Sequence, residues 1–217
     1  MGTDQHAAVF DLDGTLILSE TRHRAIWATF FAGHGVPFDD ELGRSVTGRR
    51  GGDTLAAVVH LFPGLDPSEI VAELLRISVR PDLPPIAPVP GAAGYVRGLA
   101  DAGVPLALVT SASEPHIGDA LGLLGLGGAF GVTVSAIDVA NGKPDPEGYL
   151  LACARLGIEP GAAVGFEDSV PGVAAVRAAG LRCLALATTI DRAELEAGGA
   201  ELVVADFQGL AWPPFAA

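Results

Sequence analysis

The sequence predicts an α/β protein whose core is a doubly wound parallel sheet, interrupted near its start by an inserted α-helical domain. Three patterns predict it. An apolar run at 7–10 stops abruptly at Asp11-Leu12-Asp13-Gly14-Thr15, as a buried strand stops in a polar turn. From residue 91 onward, helical periodicity and short apolar runs alternate, as they do where crossover helices join parallel strands. Between these regions the periodicity is helical only, and it ends in a proline-rich stretch at 81–90. The expected division is 1–16 with 87–217 as the α/β core, and 17–86 as the helical insertion.

The elements follow in order. Residues 20–34 place Ile26, Trp27, Phe30 and Phe31 on one helical stripe, and Gly35-Val36-Pro37 ends that helix. Further helices are expected over 39–46, 53–61 and 67–79, with no strand between 21 and 80. The prolines of 81–90 make a stiff extended linker. Helices are then expected over 91–102, 115–124, 146–156, 170–179 and 192–197. The strands between them fall at 105–109, 132–134, 162–166, 182–186 and 202–204. No repeat at a solenoid period is present.

Composition narrows the class of partner. The chain has 217 residues, 49% of them hydrophobic, enough for a proper core. Its net charge is −13, which disfavours nucleic acid and anionic membrane surfaces as partners. A small anion remains compatible, because local cations can reverse the field inside a cleft. Cys153 and Cys183 lack metal-ligand spacing and read as buried thiols of a cytoplasmic protein. The first residues carry no basic and apolar signal pattern, and no apolar run is long enough for a membrane span. A monomer or weak homodimer is expected. His6, His34, His60 and His116 show no partner spacing and read as surface residues.

Ligands of open parallel sheets bind beyond the carboxyl ends of the strands. The residues expected there are Asp11 and Asp13, Thr110 and Ser111, Lys143, and Glu167 and Asp168. Lys143 is the single lysine among thirteen basic residues, a compact point charge in a chain that otherwise uses arginine. Crowded carboxylates repel one another and call for a cation; oxygen ligands of this kind suit Mg²⁺. Hydroxyls and an ammonium can hold phosphate oxygens while one carboxylate attacks phosphorus and a second moves protons. The Thr110–Ser111 pair has a plainer reading as the cap of the following helix, and Asp168 and Ser169 can cap the helix that Pro171 opens.

These residues resemble the four ordered motifs of the haloacid dehalogenase superfamily. Residues 10–16, FDLDGTL, look like the first motif; Thr110-Ser111, Gly142-Lys143-Pro144-Asp145-Pro146 and Glu167-Asp168 look like the second, third and fourth. Residues 166–180, FEDSVPGVAAVRAAG, and 138–150, DVANGKPDPEGYL, are similar to the β-phosphoglucomutase-like branch, which contains many sugar and polyol phosphatases. The resemblance implies a Rossmann-like core and makes the insertion a cap.

It also implies roles. Asp11 is the expected nucleophile and a Mg²⁺ ligand. Asp13 is the expected general acid and base, lending its backbone carbonyl to the metal. Thr110 and Ser111 bind the phosphoryl group, with the choice of motif hydroxyl open between them. Lys143 neutralises charge, Asp168 ligates Mg²⁺, and Glu167 is a ligand or holds its waters. In the cap, Glu20, His23, Arg49 and Arg50 are the candidates for substrate contact. An acid at position 13 favours phosphate esters over carbon–halogen or carbon–phosphorus substrates.

The expected function is a Mg²⁺-dependent phosphatase acting on a small phosphate ester. One alternative is a phosphosugar mutase, against which Gly51 stands where those enzymes carry an arginine two positions before the aspartate. The other is a non-catalytic receiver module that accepts phosphate, against which stand the insertion and the second acid of the Asp-x-Asp pair.

Overall fold

The computed structural model describes residues 7–46 and 51–215. Strand β1 (Ala7–Phe10) and the two-residue β2 (Ile17–Leu18) precede four helices, α1 (Glu20–Gly33), α2 (Asp40–Ser45), α3 (Gly51–Val58) and α4 (Pro67–Ser78). The short β3 (Ala87–Pro88) leads into α5 (Ala92–Asp101), β4 (Leu106–Val109), α6 (Glu114–Leu124), β5 (Val132–Val134) and α7 (Glu147–Leu156). Then come β6 (Ala163–Glu167), α8 (Val170–Ala178), β7 (Arg182–Leu186), α9 (Arg192–Ala197) and β8 (Leu202–Val204). The chain forms two compact units, 1–18 with 88–217, and 19–87.

In the larger unit, six strands pair in the order β5-β4-β1-β6-β7-β8. Every pair is parallel. The chain winds outward from β1 to β5 on one side and to β8 on the other, which is the doubly wound topology the alternation predicts. Side chains alternate across the sheet. Ala7 and Val9 join Ala107, Val109, Tyr149, Val173 and Val176 in one buried layer. On the other parity Phe10 stacks on Phe166, ring centroids 4.3 Å apart, with Tyr95 and Phe207 against both. Removing a buried ring of this kind costs about 3–5 kcal/mol.

The parity has a chemical consequence. Asp11 continues the odd-numbered side of β1, and Glu167 is the odd-numbered last residue of β6 rather than the first residue beyond it. The expected strand at 162–166 thus begins and ends one residue later.

The smaller unit is helical. Trp27, Phe30 and Phe31 of the α1 stripe pack with Val46, Val58, Phe62, Ile70 and Ile77. Helix α4 starts at a capping box, the Asp66 carboxylate accepting from Ser68 N–H and the Glu69 carboxylate from Asp66 N–H. Arg22 ties α1 to the chain after α4, donating to the carbonyls of Ser78 at 2.7 Å and Pro84 at 2.9 Å. The proline-rich stretch is not extended throughout: the chain turns at 81–83, and extended residues 87–88 form β3, which pairs with β2. No helix among the described residues is long and apolar enough to cross a membrane.

Candidate active site

The carboxyl ends of β1, β4 and β6 are neighbours in the sheet, so the residues that follow them converge. Asp11 follows β1 directly, and its N–H donates to Phe166 O at 3.0 Å. The chain turns at Gly14, whose φ of 86° is left-handed; a side chain there would overlap the Asp168 carboxylate. Thr110 follows β4, with its N–H on Val134 O at 3.0 Å. Its hydroxyl accepts from Ala112 N–H at 3.0 Å, so it shapes the loop. Helix α6 begins later, with Ser113 at its N-cap, so the capping reading of Thr110 and Ser111 does not hold. Ser111 lies in the same loop, half-buried.

Lys143 arrives from the loop before α7. Glu147, in the first turn of α7, accepts from the N–H groups of Ala140 and Asn141, both at 2.9 Å, and so folds the loop back on the helix. The Lys143 ammonium then reaches Asp11 Oδ1 at 2.5 Å, Glu167 Oε1 at 2.5 Å and Val109 O at 3.2 Å. It also lies 5.4 Å from the centre of the Tyr149 ring.

Glu167 is fully buried and surrounded by donors. The Tyr149 hydroxyl donates to Oε1 at 2.8 Å; Asp168 N–H and the Ser169 hydroxyl donate to Oε2, both at 3.1 Å. Ser169 in turn caps α8 by accepting from Gly172 N–H at 3.1 Å. Gly172 lacks a side chain where one would overlap the Glu167 carboxylate, so the acid settles against the helix N-terminus. Asp168 is not the cap: its Oδ2 accepts from the Thr189 hydroxyl, while the Thr188 hydroxyl donates to Gly14 O.

Oxygens of Asp11, Glu167 and Asp168 lie within 4.8 Å of one another, all three residues buried. Burial pushes the Asp11 carboxyl up, Lys143 pulls it back in part, and Glu167 pushes it further. Burial likewise raises Asp168 well above the carboxylate range, with Asp11 and Glu167 adding to it. For Lys143 burial acts downward, but Asp11 and Glu167 outweigh it and the ammonium stays charged. With all three ionised, three carboxylates against one ammonium would leave two negative charges uncompensated in a buried place, which is the cost that raises Asp11 and Asp168. An all-oxygen donor set with that deficit fits a hard divalent cation.

Asp13 lies on the turn beyond Asp11, and its Oδ1 is 2.8 Å from His116 Nε2 on α6. That contact corrects the reading of His116 as a partnerless surface histidine. Hydrogen bonding to Asp13 raises the imidazole above its usual 6.5 against the opposing effect of burial, and Asp13 and Asp119 charges add to the rise. His34 is also paired, with Glu73 at 3.0 Å. The sequence reading missed Tyr149, Thr188 and Thr189 as well. No spacing rule marks them; only the rule that site residues follow strands could have drawn attention to the threonines after β7.

Of the expected cap residues, Glu20 opens α1, and His23 lies in its first turn with Nε2 accepting from Trp27 Nε1–H at 3.3 Å. Arg49 and Arg50 lie outside the described residues.

The haloacid dehalogenase-like hydrolase family matches residues 6–180. The chain is 41% identical to validoxylamine A 7'-phosphate phosphatase of Streptomyces hygroscopicus subsp. limoneus, over 95% of this chain and 96% of that protein. It is 32% identical to hexitol phosphatase A of Escherichia coli, over 86% and 85%. Among solved structures, CbbY from Rhodobacter sphaeroides in complex with xylulose-(1,5)bisphosphate superposes with a TM-score of 0.82 at 30% identity, covering 95% of this chain and 96% of that one. The chain belongs to the haloacid dehalogenase-like hydrolases, and within them it groups with phosphoric monoester hydrolases.

Proposed function

We propose that this protein is a Mg²⁺-dependent phosphatase that hydrolyses a small phosphorylated metabolite, a sugar or polyol phosphate, through an aspartyl-phosphate on Asp11. One observation carries the reading: the buried oxygens of Asp11, Glu167 and Asp168 within 4.8 Å of one another, with the Lys143 ammonium on Asp11. The similarity to validoxylamine A 7'-phosphate phosphatase and to hexitol phosphatase A supports the substrate class.

In the first step an Asp11 oxygen attacks phosphorus; the new P–O bond forms as the ester P–O bond breaks. The leaving oxygen takes a proton from Asp13. In the second step Asp13 takes a proton from the water that attacks phosphorus, and phosphate leaves with Asp11 restored. Thr110 and Ser111 hold phosphoryl oxygens, and Lys143 balances charge between the phosphoryl group and Asp11. Asp11, Asp168, Glu167 and the Asp13 carbonyl would hold Mg²⁺, which would supply further neutralisation of the phosphoryl charge. Gly51, in place of an arginine, favours transfer to water over a mutase cycle. The helical unit is read as the substrate-selecting cap, with Glu20, His23, Arg49 and Arg50 its contact residues.

The test is phosphate release from a panel of phosphorylated sugars, polyols and nucleotides with Mg²⁺. Asp11→Asn is expected to lower turnover of every substrate by at least about 10⁴-fold. Full activity in that variant removes the nucleophile assignment.

A further inference from the structure

Asp13 must face a substrate oxygen in one step and a water in the next, so the orientation of its carboxyl bears directly on the reaction. The structure supplies a holder. His116 Nε2 lies 2.8 Å from Asp13 Oδ1, from a residue 103 positions away.

Both ends of that contact are anchored. On the Asp13 side, Leu16 N–H donates to Leu12 O at 2.8 Å and Gly14 N–H to Ile17 O at 2.7 Å, closing the turn. On the His116 side, Pro115 stiffens the first turn of α6, and Ile117 N–H donates to Ser113 O at 3.0 Å. The loop before it is tied to β4 and β5 through Thr110. The imidazole is therefore carried on a rigid element that starts beside the phosphate-binding loop.

We propose that His116 is a positioning residue for Asp13: the Nε2–H hydrogen bond fixes the orientation of the Asp13 carboxyl from which it exchanges protons with the leaving oxygen. The inference rests on the reading of Asp13 as general acid and base given above. Nε2–H donates in the neutral Nε2 tautomer and in the imidazolium alike, so the holding role does not need a change of charge on the ring. The acidic groups facing it are Asp13 across the contact and Asp119 on its own helix.

A purely stabilising role is a poor account of the pair. The side chains are 32% and 37% exposed, and pairs this open contribute about 0–1 kcal/mol to folding. Orientation of a proton donor is worth more, since a displacement of about 1 Å can cost about 10²-fold in rate.

The experiment compares the first chemical step for two leaving groups. One substrate is the alkyl phosphate turned over fastest in the panel, whose alkoxide needs a proton to leave. The other is p-nitrophenyl phosphate, whose phenolate does not. Single-turnover release of alcohol or phenol is measured for wild type, His116→Ala, His116→Gln and Asp13→Asn, with thermal melts as a control for folding.

His116→Ala is expected to slow alcohol release by about 10–100-fold and phenol release by less than about 3-fold. His116→Gln, which keeps an N–H donor on a side chain of similar reach, is expected to restore alcohol release to within about 5-fold of wild type. Equal loss on both substrates, no loss on either, or no rescue by glutamine overturns the positioning role. Asp13→Asn separates the two levels. If it shows the leaving-group split and His116→Ala does not, the His116 inference alone fails; if Asp13→Asn shows no split, the acid assignment fails and the inference with it.

Discussion

Lys143 and Asp11 stand 132 positions apart in the chain and 2.5 Å apart in the fold. The same ammonium meets Glu167 and a backbone carbonyl, so its three donors point at three oxygens. That arrangement gives a physical reason for the one lysine in an arginine-rich chain: a planar fork cannot direct three donors from a single atom.

Lys143→Arg is accordingly expected to behave as a loss and not as a conservative change. The prediction is a fall of about 10²–10³-fold in kcat/KM, similar to Lys143→Met, measured by steady-state phosphate release. Near-wild-type activity in the arginine variant refutes the need for a point charge.

Thr189 donates to the carboxylate of Asp168 from the loop after β7. On the proposed reading of Asp168 as a Mg²⁺ ligand, Thr189 is an outer partner that orients it, and loss of such partners costs about 10–100-fold in metal affinity. Thr189→Val is expected to weaken Mg²⁺ binding by about 10-fold, read by calorimetry in the absence of substrate. The rise in melting temperature with Mg²⁺ shrinks in parallel. Unchanged affinity contradicts the role.

Asp138 sits in the turn after β5 that begins the path toward Lys143. Ser135 N–H donates to it at 2.9 Å, and Arg155 and the Ser135 hydroxyl follow at 2.8 and 3.0 Å. The backbone hydrogen bond first, and Arg155 and the hydroxyl after it, pull the carboxyl from the ordinary 3.8 down to about 2. Between those values the unfolded chain holds more protons than the folded one. The stabilisation is therefore complete above about pH 4 and disappears as pH falls through about 2. Asp138→Asn is expected to unfold about 1 kcal/mol more easily at neutral pH, with a flatter acid limb in denaturant melts between pH 4 and 2. An acid limb identical to wild type counts against the assignment.

Much of the fold was legible because it is written in local periodicity. β1, β5, β7, β8 and α9 occupy the expected residues, and the remaining helices of the larger unit begin and end within about a residue of expectation. Errors fell where a boundary depends on a partner strand. β6 extends to Glu167 because Glu167 pairs with Ala185, a fact of register and not of pattern. β2 and β3, at two residues each, are too short to carry a period.

The site was legible only in the residues whose type is costly without a task. Asp11, Glu167 and Asp168 are acids at the ends of apolar strands, and a buried charge asks for a reason. Tyr149, Thr188, Thr189 and His116 are ordinary residues for helices and loops. Their roles come from atoms brought within hydrogen-bonding reach across 18 to 174 positions.

The chain's order of residues decided which strands form, their parallel winding and the edge at which the acids emerge, because side-chain periodicity and the strand-to-helix rhythm are local properties. Tertiary packing alone decided which oxygen meets which donor: Lys143 between Asp11 and Glu167, Thr189 on Asp168, His116 on Asp13. Hydrogen bonds are made at about 3 Å, and distances on that scale between remote residues follow from register, loop closure and helix placement acting together.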